Sequence, residues 1–242
     1  MDNLIKIFEY VKSNIAINDN PIHIKSAIDN HKELCSWEEL EFVVNTPSIS
    51  NVELIGNNNL KIDIPKKQSS AWHNNIHVND HEFVVNQINN QSATLIVLNW
   101  EDHSVWSRDI CKLLEQKFHV TSSAHIYCGI DAKSQSFKVH ADDPCNFIFQ
   151  IEGRTEWKVF ENRVSGLENV REVTNRIYNE SKDSDLKCVM HDILSPGDIL
   201  YIPQRMYHMA KSLEKRISIS FPCRSRNHSD ILTNREFYKI NY

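Results

Sequence analysis

His140-Ala141-Asp142 sets an imidazole and a carboxylate two residues apart in a stretch, VHADDPCNFIFQIEGRTEW (139 to 157), that otherwise has the texture of a β-strand. Strand side chains alternate faces, so residues 140 and 142 project to one side and Ala141 to the other. A His and an Asp on one face can ligate a single metal ion. Two His and one carboxylate on one side of an iron leave its other side open for substrate and oxygen. The second His must come from elsewhere, and His208 is the best candidate. In PGDILYIPQRMYHMA a turn at Pro196-Gly197-Asp198, the strand DILYIP and a second turn deliver it to the next strand. The resulting reading is an iron site of His140, Asp142 and His208 in a β-barrel.

Such a site needs strands to hold it. From His119 onward, short apolar runs alternate with turn signals: HVTSSAHIYC, FKVHA, CNFIFQI, TEWKVF, VMHDI, DILYIP, YHMAKSL and RISISFP. About eight strands in roughly a hundred residues indicate a sandwich or jelly roll rather than βαβ units. The charged, Asn/Ser-rich segment 161–187 is expected to be a long insert over one mouth. Ahead of the barrel, Leu4, Phe8, Val11 and Ile15 have helical spacing. Ser36 and Glu39 form a capping box for a helix that runs to about Val44 and ends before Pro47. PIHIKSA (21–27) alternates like a strand, NVELIG and LKIDIP suggest a hairpin, and Ala93–Leu98 reads as a further strand. Residues 66–93 are polar and show no clear element. Ile110, Leu113, Leu114 and Phe118 mark a second amphipathic helix, and ILTNREFY suggests one near the end. The chain reads as one domain: 1–118 helices and accessory strands, 119–223 the jelly-roll core, 224–242 a short tail.

Composition bounds the function. The 242 residues are 40% hydrophobic and 24% charged with a net charge of -5, the profile of an ordinary globular protein. Lys and Arg are scattered and outnumbered, which disfavours a nucleic-acid partner. No apolar run reaches the ~20 residues of a membrane helix, and the first residues lack the apolar core of a signal peptide. Six cysteines occur singly, without a CxxC, and read as reduced, mostly buried thiols of a cytoplasmic protein.

SQSFKVHADDPCNFIFQIEGRTEWKVF together with PGDILYIPQRMYH resembles the JmjC/cupin-type 2-oxoglutarate oxygenases, especially the group containing the ribosomal oxygenases. The likeness is good over about 125–222 and weaker before it. It implies a mainly β fold, a double-stranded β-helix (jelly roll, cupin-like) with N-terminal and flanking helices. It implies Fe(II) on His140, Asp142 and His208, with 2-oxoglutarate as co-substrate. The activity implied is a dioxygenase that hydroxylates an amino-acid side chain of a protein or peptide. The larger ribosomal oxygenases carry dimerisation and winged-helix regions after the barrel, and about twenty residues follow it here. A short natural-product precursor peptide therefore competes with a ribosomal protein as substrate, and a homodimer is left open.

One position departs from the family. A Lys or Arg fifteen residues past the first His usually holds the distal carboxylate of 2-oxoglutarate, and that position is Thr155. A carboxylate buried without a cation is expensive. Lys138, with inward parity, Arg216 at the start of the last strand and Arg154 are the substitutes in sequence. Tyr127 matches a family tyrosine that contacts the co-substrate. Asn146, Thr155 and Ser218 could add polar contacts. The alternative is a metal-binding cupin with another co-substrate or no turnover. His73, His77 and His81 have the spacing of one helix face, but the Asn-rich segment around them is a poor helix former and is read as a polar loop. Asp143 should face away from Asp142. Trp72, Trp100 and Trp106 read as core or rim aromatics.

Overall fold

The computed structural model describes residues 1–16, 19–46, 51–57, 59–68, 77–135, 137–165, 176–181 and 185–225. The N-terminal part contains α1 (Asp2–Ile15), β1 (Ile22–Ile24), α2 (Trp37–Asn45), β2 (Val52–Ile55), β3 (Lys61–Ile62), β4 (Lys66–Gln68), β5 (His77–Asn79), α3 (His81–Gln91) and β6 (Thr94–Val97). Then come α4 (Val105–Phe118), β7 (Val120–Ser122), β8 (His125–Gly129), β9 (His140–Ala141), β10 (Cys145–Glu152) and β11 (Thr155–Arg163). The chain continues through β12 (Arg176–Ile177), β13 (Cys188–Leu194), β14 (Ile199–Ile202), β15 (Met206–Ser212) and β16 (Arg216–Ser225).

Two antiparallel sheets make a double-stranded β-helix. The larger runs β1-β14-β10-β16-β8-β6-β2-β3, with β7 also on β16, and the smaller runs β12-β9-β15-β11-β13. Strand alternation sorts the larger sheet. Phe147, Phe149 and Ile151 of β10 and Ile217, Ile219 and Phe221 of β16 enter the main core under the helices. The intervening residues, Asn146, Ile148 and Gln150 on β10 and Arg216, Ser218 and Ser220 on β16, are also buried. They point into the barrel. Both faces of these strands are therefore covered, one by helices and one by the lumen.

The helices form because each offers one apolar stripe. Leu4, Ile7, Phe8 and Val11 of α1 are buried, and Phe8, Phe118 and Phe147 stack ring to ring with centroids 5.2–6.1 Å apart. Such contacts contribute about 0.5–1.5 kcal/mol each beyond area burial and fix α1 and α4 on the sheet. The Ser36–Glu39 capping box is formed. In the segment that showed no clear element, Asp80 caps α3 by accepting from the Phe83 N–H at 3.1 Å, and Val84 and Ile88 supply the buried stripe. His77 lies on β5 and His81 on α3, so these two share no helix face, although this part is a strand and a helix and not the polar loop expected; His73 lies outside the described residues. Trp72, residues 166–175 and 182–184 of the insert, and the helix expected near the end lie outside them too. Of the segment expected as an insert, residues 161–163 still belong to β11, and Arg176–Ile177 form β12, which pairs with β9 and extends the smaller sheet. β1 and β6 join the larger sheet through β14 and β8. The N-terminal part is thus built into the barrel wall.

Gly153, at φ +66, turns the β10–β11 hairpin. A Cβ there would lie 1.9 Å from the Lys215 carbonyl oxygen, so the absence of a side chain lets the β15–β16 turn close against it.

Candidate metal centre and co-substrate chamber

β9 and β15 pair so that His140 lies opposite His208. Their rings sit 4.4 Å apart, centroid to centroid. Asp142 follows β9 and turns its carboxylate between them, Oδ1 3.8 Å from His140 Nε2 and Oδ2 3.6 Å from His208 Nε2. One donor atom from each residue lies within 4.8 Å of the others. Donors bound at about 2.1 Å to one ion are at most about 4.2 Å apart, so a small contraction brings the set onto a metal. The tautomers are fixed from behind. His140 Nδ1 donates to the Lys138 carbonyl at 2.7 Å and His208 Nδ1 to the Met206 carbonyl at 2.9 Å. A carbonyl only accepts, so each Nε2 presents its lone pair to the centre. Burial, with His140 alongside, pushes the His208 pKa down to about 4, which keeps it neutral as a ligand must be.

A polar chain orients the carboxylate. Ser220 Oγ donates to Asn146 Oδ1 at 3.2 Å, and Asn146 Nδ2 donates to Asp142 Oδ2 at 2.9 Å. Asn146 therefore supports the acid directly, a role its parity alone did not specify.

Deeper in the barrel the chamber is lined by Tyr127, Ile148, Trp157, Ala210, Arg216 and Ser218, among others. Arg216 is 1% exposed. Its Nε donates to Ser212 Oγ and its Nη1 to Ser218 Oγ at 3.5 Å, while Nη2 has no hydrogen-bond partner. Burial lowers its pKa to about 10, so it remains a cation at neutral pH. Thr155 and Trp157 also bury donors, Oγ1 and Nε1, that have no partner. Unsatisfied buried donors are costly and point to a ligand acceptor. The chamber holds about 30 Å³, room for two waters, so a five-carbon diacid enters only as lining side chains draw back.

Among the substitutes for the missing cation, Arg216 reaches the chamber. Lys138 does not: residues 138–139 form a bend before β9, no strand alternation extends there, and its side chain is exposed. Arg154 pairs with Glu214 on the surface at 3.0 Å. Thr155 is fully buried and lies opposite Ser212 across β11–β15. Asp143 faces away from Asp142, as expected, but is buried against Arg205. Trp100 is in the core and Trp106 half-exposed. Sequence reasoning missed Ser220 and Arg205. The alternation R-I-S-I-S-F at the start of β16 is a signal that could have shown Ser220.

Outside the centre a cleft of about 540 Å³ is bordered by Glu53, Ser123, His125, Phe137, Pro222 and Arg224, among others. The His125 pKa lies below the usual imidazole range because the ring is buried. Its Nδ1 accepts from the Asn99 N–H at 3.2 Å.

A double-stranded β-helix carrying two imidazoles and a carboxylate inside its wall is a cupin-class protein. Within that class the chain belongs to the JmjC-domain family, whose pattern matches residues 100–231. It is 28% identical over 129 residues to the "Bifunctional lysine-specific demethylase and histidyl-hydroxylase NO66" of Drosophila yakuba, covering 53% of this chain and 18% of that protein. The Drosophila sechellia protein of the same name is 30% identical over 112 residues, covering 46% and 16%. The fold is similar to that of YcfD, described as a ribosomal oxygenase from Escherichia coli and solved with cobalt and 2-oxoglutarate. The TM-score is 0.61 and the identity 17%, over 92% of this chain and 53% of that one. The chain thus spans less than a fifth of these curated relatives and about half of that structure. No helix among the described residues is long and apolar enough to cross a membrane.

Proposed function

We propose that the chain is an Fe(II)- and 2-oxoglutarate-dependent oxygenase that hydroxylates an amino-acid side chain of a protein or peptide. His140, Asp142 and His208 hold the iron. Arg216 takes the distal carboxylate of 2-oxoglutarate, with Tyr127, Thr155 and Ser218 around it and Asn146 steadying Asp142. The observation that carries this reading is the buried Arg216 Nη2, unpartnered, in the same chamber as the three converging donors. When bound, the metal would supply the coupling of 2-oxoglutarate decarboxylation to C–H hydroxylation with dioxygen as the oxidant, one oxygen atom going to succinate and one to the alcohol, with carbon dioxide released. The chain's part is to bind, orient and exclude water. Arg216 neutralises the diacid, the two Nδ1 hydrogen bonds keep both imidazoles in ligand form, and Ser220 through Asn146 sets the Asp142 plane.

The names of the relatives, histidyl-hydroxylase and ribosomal oxygenase, support a protein substrate over a small molecule. The outer cleft, open beside Asp142, is where such a side chain would enter. A ribosomal protein and a short precursor peptide both fit it. Net charge of -5 disfavours nucleic acid. Free thiols, four of them buried, suit a reducing compartment such as the cytoplasm.

The test is anaerobic loading with Fe(II) followed by 2-oxoglutarate. The expected result is a weak visible charge-transfer band that His140→Ala lacks, and slow succinate release on admitting air. No band, with wild type and His140→Ala alike, refutes the proposal.

A further inference from the structure

Arg205 touches none of the three donor side chains, yet it grips the segment that carries one of them. Its backbone N–H donates to the Asp142 carbonyl at 2.9 Å. Its guanidinium reaches the next residue, with Nε 3.1 Å and Nη2 3.0 Å from Asp143 Oδ1. Nη1 donates to the Ser165 carbonyl, and the Arg205 carbonyl accepts from the Val164 N–H at 3.0 Å. Three pieces of chain meet on this residue: the loop after β9, the end of β11 and the turn into β15. Both partners of the ion pair are buried, Arg205 8% and Asp143 3% exposed. Arg205 also sits at φ +62, in the left-handed region where glycine is the undemanding choice. A charged side chain kept buried in that backbone state is there for what the side chain holds.

We propose that Arg205 is a positioning residue for the metal centre, clamping the Asp142 arm to the turn that delivers His208. The clamp rests on the reading of His140, Asp142 and His208 as metal ligands. It sets the arm before any ion arrives, so its loss is felt in metal affinity and ligand geometry.

Co(II), whose visible ligand-field bands report geometry, is titrated into the metal-free full chain. Arg205→Gly keeps the turn and removes the guanidinium; Asp143→Asn removes the other half of the pair. Each is expected to weaken Co(II) binding about 10–100-fold, the range for residues that orient metal ligands, and to alter the bands. The double variant is expected to lose little more than Arg205→Gly alone, since both remove the same ion pair. Arg205→Lys should recover part of the affinity. Ile110→Val, a core change under the helices, serves as control and should lower Tm without moving Co(II) affinity. A normal affinity and spectrum in Arg205→Gly, with a lowered Tm alone, overturns the proposal. Should Arg205→Gly not fold, Asp143→Asn decides by the same criterion. Failure of the wild-type chain to take up Co(II) refutes the ligand reading and the clamp together. Wild-type uptake with unaffected variants refutes only the clamp.

Discussion

Replacing Arg216 with Met separates function from stability. The guanidinium is fully buried, and its pKa falls from 12.5 to about 10 because of burial. At 1.36 kcal/mol per pKa unit, keeping it charged costs the folded chain about 3 kcal/mol. The group is charged in both states below pH 10, so the cost is present in full at neutral pH. It is relieved only as pH rises through 10. Methionine fills similar space without charge. The hydroxyls that Arg216 leaves behind keep donor contacts of their own, Ser212 to the Ser134 carbonyl at 2.6 Å and Ser218 to Gln150 Oε1 at 2.9 Å. After the two lost hydrogen bonds, a net gain of about 1–2 kcal/mol is expected, which is a Tm rise of about 2–8 °C for a chain of this size. Co-substrate binding moves the other way. Burying a carboxylate after its charge partner is removed costs about 3–5 kcal/mol, so 2-oxoglutarate should bind about two to four orders of magnitude more weakly. Scanning fluorimetry of the metal-free chain gives the first quantity, and calorimetric titration of 2-oxoglutarate into Co(II)-loaded protein the second. A fall in Tm with 2-oxoglutarate affinity within about threefold of wild type refutes the assignment, since Arg216 would then be holding the barrel together.

Three further outcomes are expected. Asp142→Asn and His208→Ala each abolish stoichiometric Co(II) uptake at micromolar metal, read from the visible bands; full uptake in either removes that residue from the ligand set. Thr155→Lys alone adds a second cation to the chamber and lowers Tm, whereas in the Arg216→Met background it restores 2-oxoglutarate binding at least about tenfold, because the charge returns from β11 in the other sheet; calorimetry on the two variants reads both effects. Under native conditions a chromogenic disulfide reagent modifies Cys188 first, Cys145 more slowly, and Cys35, Cys111, Cys128 and Cys223 only after denaturant. Rapid reaction at several of the buried four would contradict the packing of the larger sheet.

What could be read from sequence was what depends on local rules. The Leu4 to Ile15 spacing, the Ser36–Glu39 box and the alternation of CNFIFQI each name an element and its buried face, and each is where it should be. That His140, Asp142 and His208 would converge was legible from their spacing and from the turn that carries His208 onto the strand opposite His140. Lys138 failed because parity holds only inside a strand, and β9 is two residues long. α3 was missed because only Val84 and Ile88 are buried on it, so its stripe is thin against many Asn and Gln. Arg205 was illegible because its role comes from a tertiary meeting of three segments, and no spacing encodes that. Among the cation candidates, Arg154 lies just before β11 and pairs with Glu214 at the surface, whereas Arg216 begins β16 with its guanidinium buried in the chamber.

β9 is held on both edges by chain synthesised after it, with His140 opposite His208 on one side and Ile177 on the other. Closing a loop of about 70 residues costs about 4 kcal/mol in chain entropy, and a two-residue strand has nothing local with which to repay it. The pairing of the two histidines therefore waits until the surrounding barrel has condensed. Metal capture follows folding instead of nucleating it. When metal is scarce, the chain accumulates as a folded barrel ready to load.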